Sequence, residues 1–187
     1  DHLKLIDEIA PEIIGPSHGP VLKMPAKIID LYRDWSSDQP KNLVIVAYVS
    51  MHGSTELMTK FLVDDLVQRG IPVQQYNLLE TDTGVLGSAI VDAATIILAT
   101  PTVLFGPHPV AVNAAYLIRA LRPKVQHLGV IGSYGWGTNA VNYLAEMLSP
   151  LGAEMLDPVY IKGLPEETAI SDLHKLADAI DERHKKL

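Results

Sequence analysis

The chain has 187 residues, of which 48% are hydrophobic and 20% charged, enough apolar material for one ordinary domain with an appendage. A formal net charge of −7 argues against nucleic acid or an anionic membrane surface as partner. There is no cysteine, which excludes disulfides, iron–sulfur clusters and Cys-ligated zinc. No apolar run reaches the roughly 18 residues of a membrane span, because Asp92 and Pro101 interrupt the longest candidate. No secretory signal opens the chain, so the cytoplasm is the expected location. The first residue is Asp1 rather than Met, the pattern of a processed or partial chain.

In chain order, Leu3 to Ala10 reads as a helix and Glu12-Ile13-Ile14 as a short strand. Ala26 to Trp35 is a second helix with Ile28, Ile29, Tyr32 and Trp35 as its apolar stripe, and Ser36 to Lys41 is a linker. From Lys41 onward, apolar runs and amphipathic runs alternate. The strand candidates are Leu43–Val49, Pro72–Tyr76, Thr95–Ala99, His127–Ile131 and Glu154–Tyr160. Between them, Leu57, Met58, Phe61, Leu62 and Leu66 share a helix face that stops at Gly70. Val85 to Ala93, Pro109 to Leu121 and a stripe of Ala140, Val141, Leu144, Met147 and Leu148 are further helices. The last, Glu167 to Lys185, buries Leu173, Leu176, Ala177 and Ile180, which leaves His174 and His184 solvated. Repeated βα units with short strands predict an α/β domain, a doubly wound five-stranded parallel sheet in the flavodoxin-like order 2-1-3-4-5, preceded by a short α-rich stub.

In such a sheet a ligand sits outside the carboxyl ends of the strands, at the switch point of the strand order. Three loops meet there. The first, Ser50-Met51-His52-Gly53-Ser54-Thr55, offers hydroxyls and backbone N–H groups at a helix start, without Lys or Arg. That composition suits a phosphate held by dipoles and hydroxyls, with Ser50, Ser54 and Thr55 as its donors. It also suits a plain helix cap with no ligand. The second loop runs from Thr100 through Pro101, Thr102, Val103, Leu104, Phe105 and Gly106 to His108, a stiff apolar wall for the edge of a flat ring or an ordinary connection. The third, Gly132-Ser133-Tyr134-Gly135-Trp136-Gly137, sets two aromatics among glycines. Trp136, with Tyr134 second, is placed to stack on a ring. Phosphate at one end and a planar ring at the other describe FMN. The phosphate loop of nucleotide hydrolases and G-x-G-x-x-G after the first strand are both absent. A phospho-acceptor receiver would carry acidic residues where Val49-Ser50 and Thr100 stand.

These three loops, in order and spacing over residues 42 to 187, resemble the flavodoxin domain of flavodiiron proteins (A-type flavoproteins). His52 departs from the tyrosine usual there, and Val103 to His108 differs in detail. The resemblance extends backward: Gly15-Pro16-Ser17-His18-Gly19-Pro20 and Leu31-Tyr32-Arg33-Asp34-Trp35 are similar to the tail of the metallo-β-lactamase-like diiron domain that precedes the flavodoxin domain in that family. It implies that residues 1 to 40 are a remnant of that domain plus linker, and that residues 41 to 187 form the FMN-binding domain. By the match, His18 corresponds to the last iron-ligating histidine. The other ligands are missing from the chain, so the metal site is incomplete, one imidazole being unable to hold two irons.

The resemblance further implies an electron donor of rubredoxin, reductase or deazaflavin type, transfer from FMN to a diiron centre that reduces oxygen or nitric oxide, and a head-to-tail homodimer. No nucleophile–base pair or carboxylate pair stands in the loops, so no side chain is expected to be catalytic. Three rivals remain. One is a stand-alone flavodoxin-type electron carrier, one an FMN-dependent NAD(P)H:quinone reductase, and one a structural subunit that has lost its flavin.

Overall fold

The computed structural model describes residues 2–187 and divides at Gln39/Pro40 into two units. The first holds α1 (His2–Ile9) and α2 (Pro25–Trp35). Pro25, with no N–H to waste, opens α2, and Ile29 is its buried residue. Arg33 reaches back to Asp30 and across to Asp7, tying α2 to α1. The strand expected at Glu12-Ile13-Ile14 shrinks to a single antiparallel bridge, Ile14 with Leu22. A ladder needs a partner segment of matching length, and here the intervening chain bends through Ser17, His18 and Gly19. His18 is exposed on that bend, and among the described residues no group of His, Asp or Glu is placed to hold a metal ion.

The second unit is the βα repeat. Its elements are β1 (Lys41–Tyr48), α3 (Ser54–Gln68), β2 (Val73–Asn77), α4 (Thr83–Ile90), β3 (Ala93–Val103), β4 (Gly106–Pro107), α5 (Pro109–Leu121), β5 (His127–Tyr134), α6 (Ala140–Leu148), β6 (Glu154–Met155), β7 (Val159–Lys162) and α7 (Glu167–His184). The sheet runs β2-β1-β3-β5-β6, with β7 also on β5. All these pairings are parallel, as helical crossovers require. Counting β6 and β7 as one position gives the expected order 2-1-3-4-5.

Period-two alternation sends side chains to two cores. Val44, Val46 and Ile97 pack with Met58, Leu62 and Leu66 of α3 and Leu173, Leu176 and Ile180 of α7. Ile45, Ala47, Ile96 and Leu98 pack on the other face with Ile90 of α4, Ile118 of α5 and Leu144 of α6. Both faces are therefore covered, which is why the central strands read as unbroken apolar runs. Among the described residues no helix is long and apolar enough to cross a membrane.

Three expectations need correction. The fifth strand is two pieces, because Pro158 falls between them and has no N–H to donate to the ladder. The third strand runs on through Pro101, Thr102 and Val103, whose extended backbone stays in register with β5 at Thr100–Gly132 and Pro101–Ser133. His184 is 6% exposed, not solvated. It lies one turn beyond Ile180 on the same stripe, and bonds Thr95 and Asn42 at 2.7 Å each. The other histidine of that helix, His174, is exposed as expected and pairs with Asp65 at 2.6 Å.

Candidate functional site

The cavity of interest, about 520 Å³, opens at the carboxyl ends of β1, β3, β5 and β7. That volume lies within the range of small-molecule sites. Its lining contains no Lys, Arg, Asp or Glu.

The first wall is the turn from β1 into α3. Gly53 sits at the helix N-cap in the left-handed region (φ +82°), a conformation that costs glycine nothing and other residues strain. It brings no capping side chain, so the first N–H groups of α3, which have no intrahelical partner, stay without a side-chain cap beside the cavity-lining Ser54 and Thr55. The Ser50 hydroxyl accepts the Gly53 N–H at 3.1 Å and so shapes the turn. The Ser54 hydroxyl donates to the Gly163 carbonyl at 2.6 Å. Thr55 is 1% exposed, and its Oγ1 has no hydrogen-bond partner among the described residues although the residue lines the cavity. Of the three hydroxyls expected to serve phosphate, Ser54 has its proton committed, Ser50 only accepts and keeps its proton, and Thr55 has no partner among the described residues. Met51 and His52 also line the cavity, on an exposed stretch.

The second wall is the end of β3. Pro101, Thr102 and Val103 line the cavity. The chain then reverses through Leu104 and Phe105 into β4, with Thr102 opposite Pro107 and Val103 opposite Gly106. Both central residues have positive φ, 47° and 75°, the pattern of a primed hairpin turn normally built from Asn and Gly. Leu104 is 99% exposed, so this turn holds an apolar side chain out in water on a strained backbone. Leu104 and Gly106, both expected at the cofactor, do not line the cavity: the hairpin carries them past its rim.

The third wall follows β5. Ser133, Tyr134, Gly135 and Trp136 line the cavity. Tyr134 turns inward, its ring parallel to that of Tyr160 at 6.3 Å between centroids. Trp136 is 100% exposed, on the rim rather than over a neighbour. Gly137 and Gly53 are the other two expected contacts that fall outside the lining. Gly137 instead lets the Phe105 ring approach, since a Cβ there would sit 3.3 Å from it. Gly53 shapes the turn without facing the cavity.

Sequence reasoning missed two groups. Gly163 and Leu164, after β7, form a further part of the lining. The available signal was a glycine directly after a strand, at the same end as the other loops. The second group is a hydroxyl network behind the walls. Thr102 donates to Thr138 at 2.7 Å and meets the Tyr160 hydroxyl at 3.0 Å, while Tyr160 donates to the Thr100 carbonyl at 2.9 Å. Burial pushes the Tyr160 phenol above its ordinary value, against the lowering by its hydroxyl neighbours, so it stays a neutral donor. Gly132 allows this crossing: a Cβ there would lie 1.9 Å from the Thr100 carbonyl oxygen and 2.7 Å from the Tyr160 ring.

Residues 46–175 match the flavodoxin family model. The chain belongs to the flavodoxin family. Its flavodoxin domain is similar to that of flavodiiron proteins. It is 34% identical to the nitric oxide reductase of Moorella thermoacetica over 159 residues, 82% of this chain and 40% of that protein. The structure of the rubredoxin oxygen:oxidoreductase of Desulfovibrio gigas superposes with a TM-score of 0.89 at 28% identity, over 98% of this chain and 48% of that one. The flavodiiron protein of Giardia intestinalis shares the fold, with a TM-score of 0.78 at 22% identity over 97% and 49%. The chain spans less than half the length of the curated relatives it matches.

Flavin mononucleotide is the cofactor that the flavodoxin family and its flavodiiron relatives imply, with a diiron centre in the full-length proteins. The residues present fit FMN. A phosphate dianion offers only acceptors, and it would meet a buried hydroxyl without a partner at a helix N-terminus free of capping side chains. The rest of the lining is mostly apolar, with an aromatic at the rim, which suits a flat ring.

Proposed function

We propose that this flavodoxin domain holds FMN at the cavity and serves electron transfer in a flavodiiron-type oxidoreductase. The observation that carries the reading is Thr55: the residue lines a cavity without a cationic side chain, and its buried hydroxyl has no partner among the described residues. An orphaned hydroxyl of this kind costs about 1–3 kcal/mol, a cost that a phosphate oxygen would remove.

When bound, FMN supplies the redox chemistry, and the protein supplies binding, orientation and electrostatics. The start of α3 and the Thr55 hydroxyl would hold the phosphate. Pro101, Thr102 and Val103 address the ring edge through backbone groups. Ser133, Tyr134 and Gly135 would line the ring end, and Trp136 at the rim would supply an indole to cover the ring. Ser50, Met51 and His52 close the phosphate end, with Gly53 permitting the turn. Leu104, Gly106 and Gly137 act by shaping these walls rather than by touching the cofactor. No side chain here is asked to move a proton, in keeping with an electron carrier.

In the same reading, residues 1 to 40 are the tail of a diiron-bearing domain, with His18 one ligand of an incomplete set. The donor would be of rubredoxin, reductase or deazaflavin class, and the acceptor would be the diiron site of an oxygen or nitric oxide reductase. The assembly would be a head-to-tail homodimer in the cytoplasm, pairing the flavodoxin domain of one copy with the diiron-bearing domain of the other. The names and folds of the relatives support this part.

The test is a visible spectrum and iron analysis on the purified chain, followed by titration with FMN. Flavin uptake near one equivalent, without two bound irons, is expected. A chain that takes up no added FMN overturns the reading, and two irons per chain overturn the assignment of residues 1 to 40.

A further inference from the structure

We propose that the turn between β7 and α7, at Gly163 and Leu164, is a fourth wall of the flavin site, and that Ser54 acts through it as a positioning residue rather than as a phosphate ligand. The proposal rests on the FMN reading and goes beyond the three loops that suggested it.

A serine hydroxyl has one proton to donate, and a phosphate dianion accepts hydrogen bonds without offering any. The Ser54 proton goes to the Gly163 carbonyl at 2.6 Å. Its oxygen then presents only lone pairs, which a phosphate repels. Thr55, next in the chain, has its hydroxyl proton uncommitted. The Ser50 hydroxyl only accepts, from the Gly53 N–H, so its proton is uncommitted as well. The phosphate donors are therefore Ser50, Thr55 and the backbone N–H groups of the α3 start.

Gly163 has a second bond. Its N–H donates to the Tyr134 carbonyl at 3.0 Å. One residue thus links the phosphate turn, through Ser54, to the aromatic loop, through Tyr134. Its φ of +76° is the left-handed conformation that favours glycine. Leu164 follows, 66% exposed yet lining the cavity. A bound ring would cover it, as it would cover Trp136. A change at Ser54 should therefore loosen both ends of the site at once, whereas a change at Thr55 should act only at the phosphate end.

The experiment measures FMN and riboflavin affinity of the whole chain by flavin fluorescence quenching. Riboflavin reports the ring end alone, since it lacks the phosphate. Ser54→Ala is expected to weaken both flavins by the same factor, roughly three- to tenfold, the worth of one hydrogen bond. Ser54→Thr, which keeps the hydroxyl, is expected to restore both. Thr55→Val is expected to weaken FMN and leave riboflavin unchanged. Leu164→Ala, an exposed change that does not threaten folding, is expected to weaken both flavins by about threefold through lost apolar cover.

If Ser54→Ala weakens FMN alone, Ser54 is a phosphate ligand and the proposal falls. If Ser54→Ala and Leu164→Ala leave both affinities unchanged, the turn is no part of the site. A wild-type chain that binds neither flavin overturns the FMN reading and this proposal with it, which separates that failure from the others.

Discussion

The two ends of the parallel sheet are built on opposite principles. At the amino end of the strands, buried and half-buried polar groups are largely paired with one another. His184 bonds Thr95 and Asn42, Asp92 takes Lys41 at 2.7 Å and Lys124 at 3.0 Å, and Arg183 holds Glu154. The Nδ1 of His127 is the exception. At the carboxyl end, the Thr55 hydroxyl has no partner, Trp136 is bare, and Leu104 and Phe105 hold left-handed backbone. The amino end is finished by the chain itself. The carboxyl end carries backbone strain, a bare indole and an unmet hydrogen bond that a bound molecule could satisfy, the usual mark of a binding site.

The contrast is tested most severely where the carboxyl end depends on close packing. Gly132→Ala places a methyl 1.9 Å from the Thr100 carbonyl oxygen. A loss of about 3 kcal/mol is expected, at the upper end of overpacking costs, read as a lower urea midpoint. An unchanged midpoint would mean that the crossing of β3, β5 and Tyr160 yields easily. Trp136→Ala comes next. The indole is fully exposed, so apo-protein stability should hold while FMN affinity falls by roughly 1–3 kcal/mol. A fall in apo stability, with affinity unchanged, would reverse its assignment.

The strained hairpin offers a gain rather than a loss. Leu104 is almost wholly exposed, so Leu104→Asn sacrifices little burial and relieves left-handed backbone. Stability should rise by about 1 kcal/mol. A drop in the thermal midpoint would show that the leucine is buried by something in solution.

The smallest effect expected is at the amino end. Burial holds both imidazoles, His127 and His184, below their ordinary value; Arg183 adds to the lowering at His127 and His127 itself at His184, while Glu154 and Asp181 oppose it. The unfolded chain then binds protons that the folded chain refuses. Their contribution is complete above the ordinary imidazole value of about 6.5 and is lost as pH falls below it. Urea midpoints measured from pH 8 to pH 5 should decline on the acid side, and His184→Gln should flatten the slope. An unaltered slope would assign the decline to other groups.

Much of this was legible from the chain. Apolar runs such as Leu43–Val49 and Thr95–Ala99 marked buried parallel strands, and Gly70 marked a helix end. Pro158 signalled a broken fifth strand, and the spacing from Leu173 through Ala177 and Ile180 to His184 put that histidine on the buried stripe. Both signals were present and were outweighed by the apolar character of the one segment and the polar character of the other. Twelve of the sixteen residues expected at the cofactor line the cavity. Gly53, Leu104, Gly106 and Gly137 do not, because a loop's composition says which residues are near a site but not which way the backbone turns them.

The sequence alone settled the succession of strands and helices and the chemistry available in each loop, since propensity, periodicity and turn residues act over a few neighbours. Only the folded chain decided which hydroxyl gave its proton away. Ser54 gives its proton to a carbonyl 109 residues away, and Thr55 beside it gives its proton to nothing. Hydrogen-bond competition is settled by what the fold brings within 3 Å, and no local pattern carries that information.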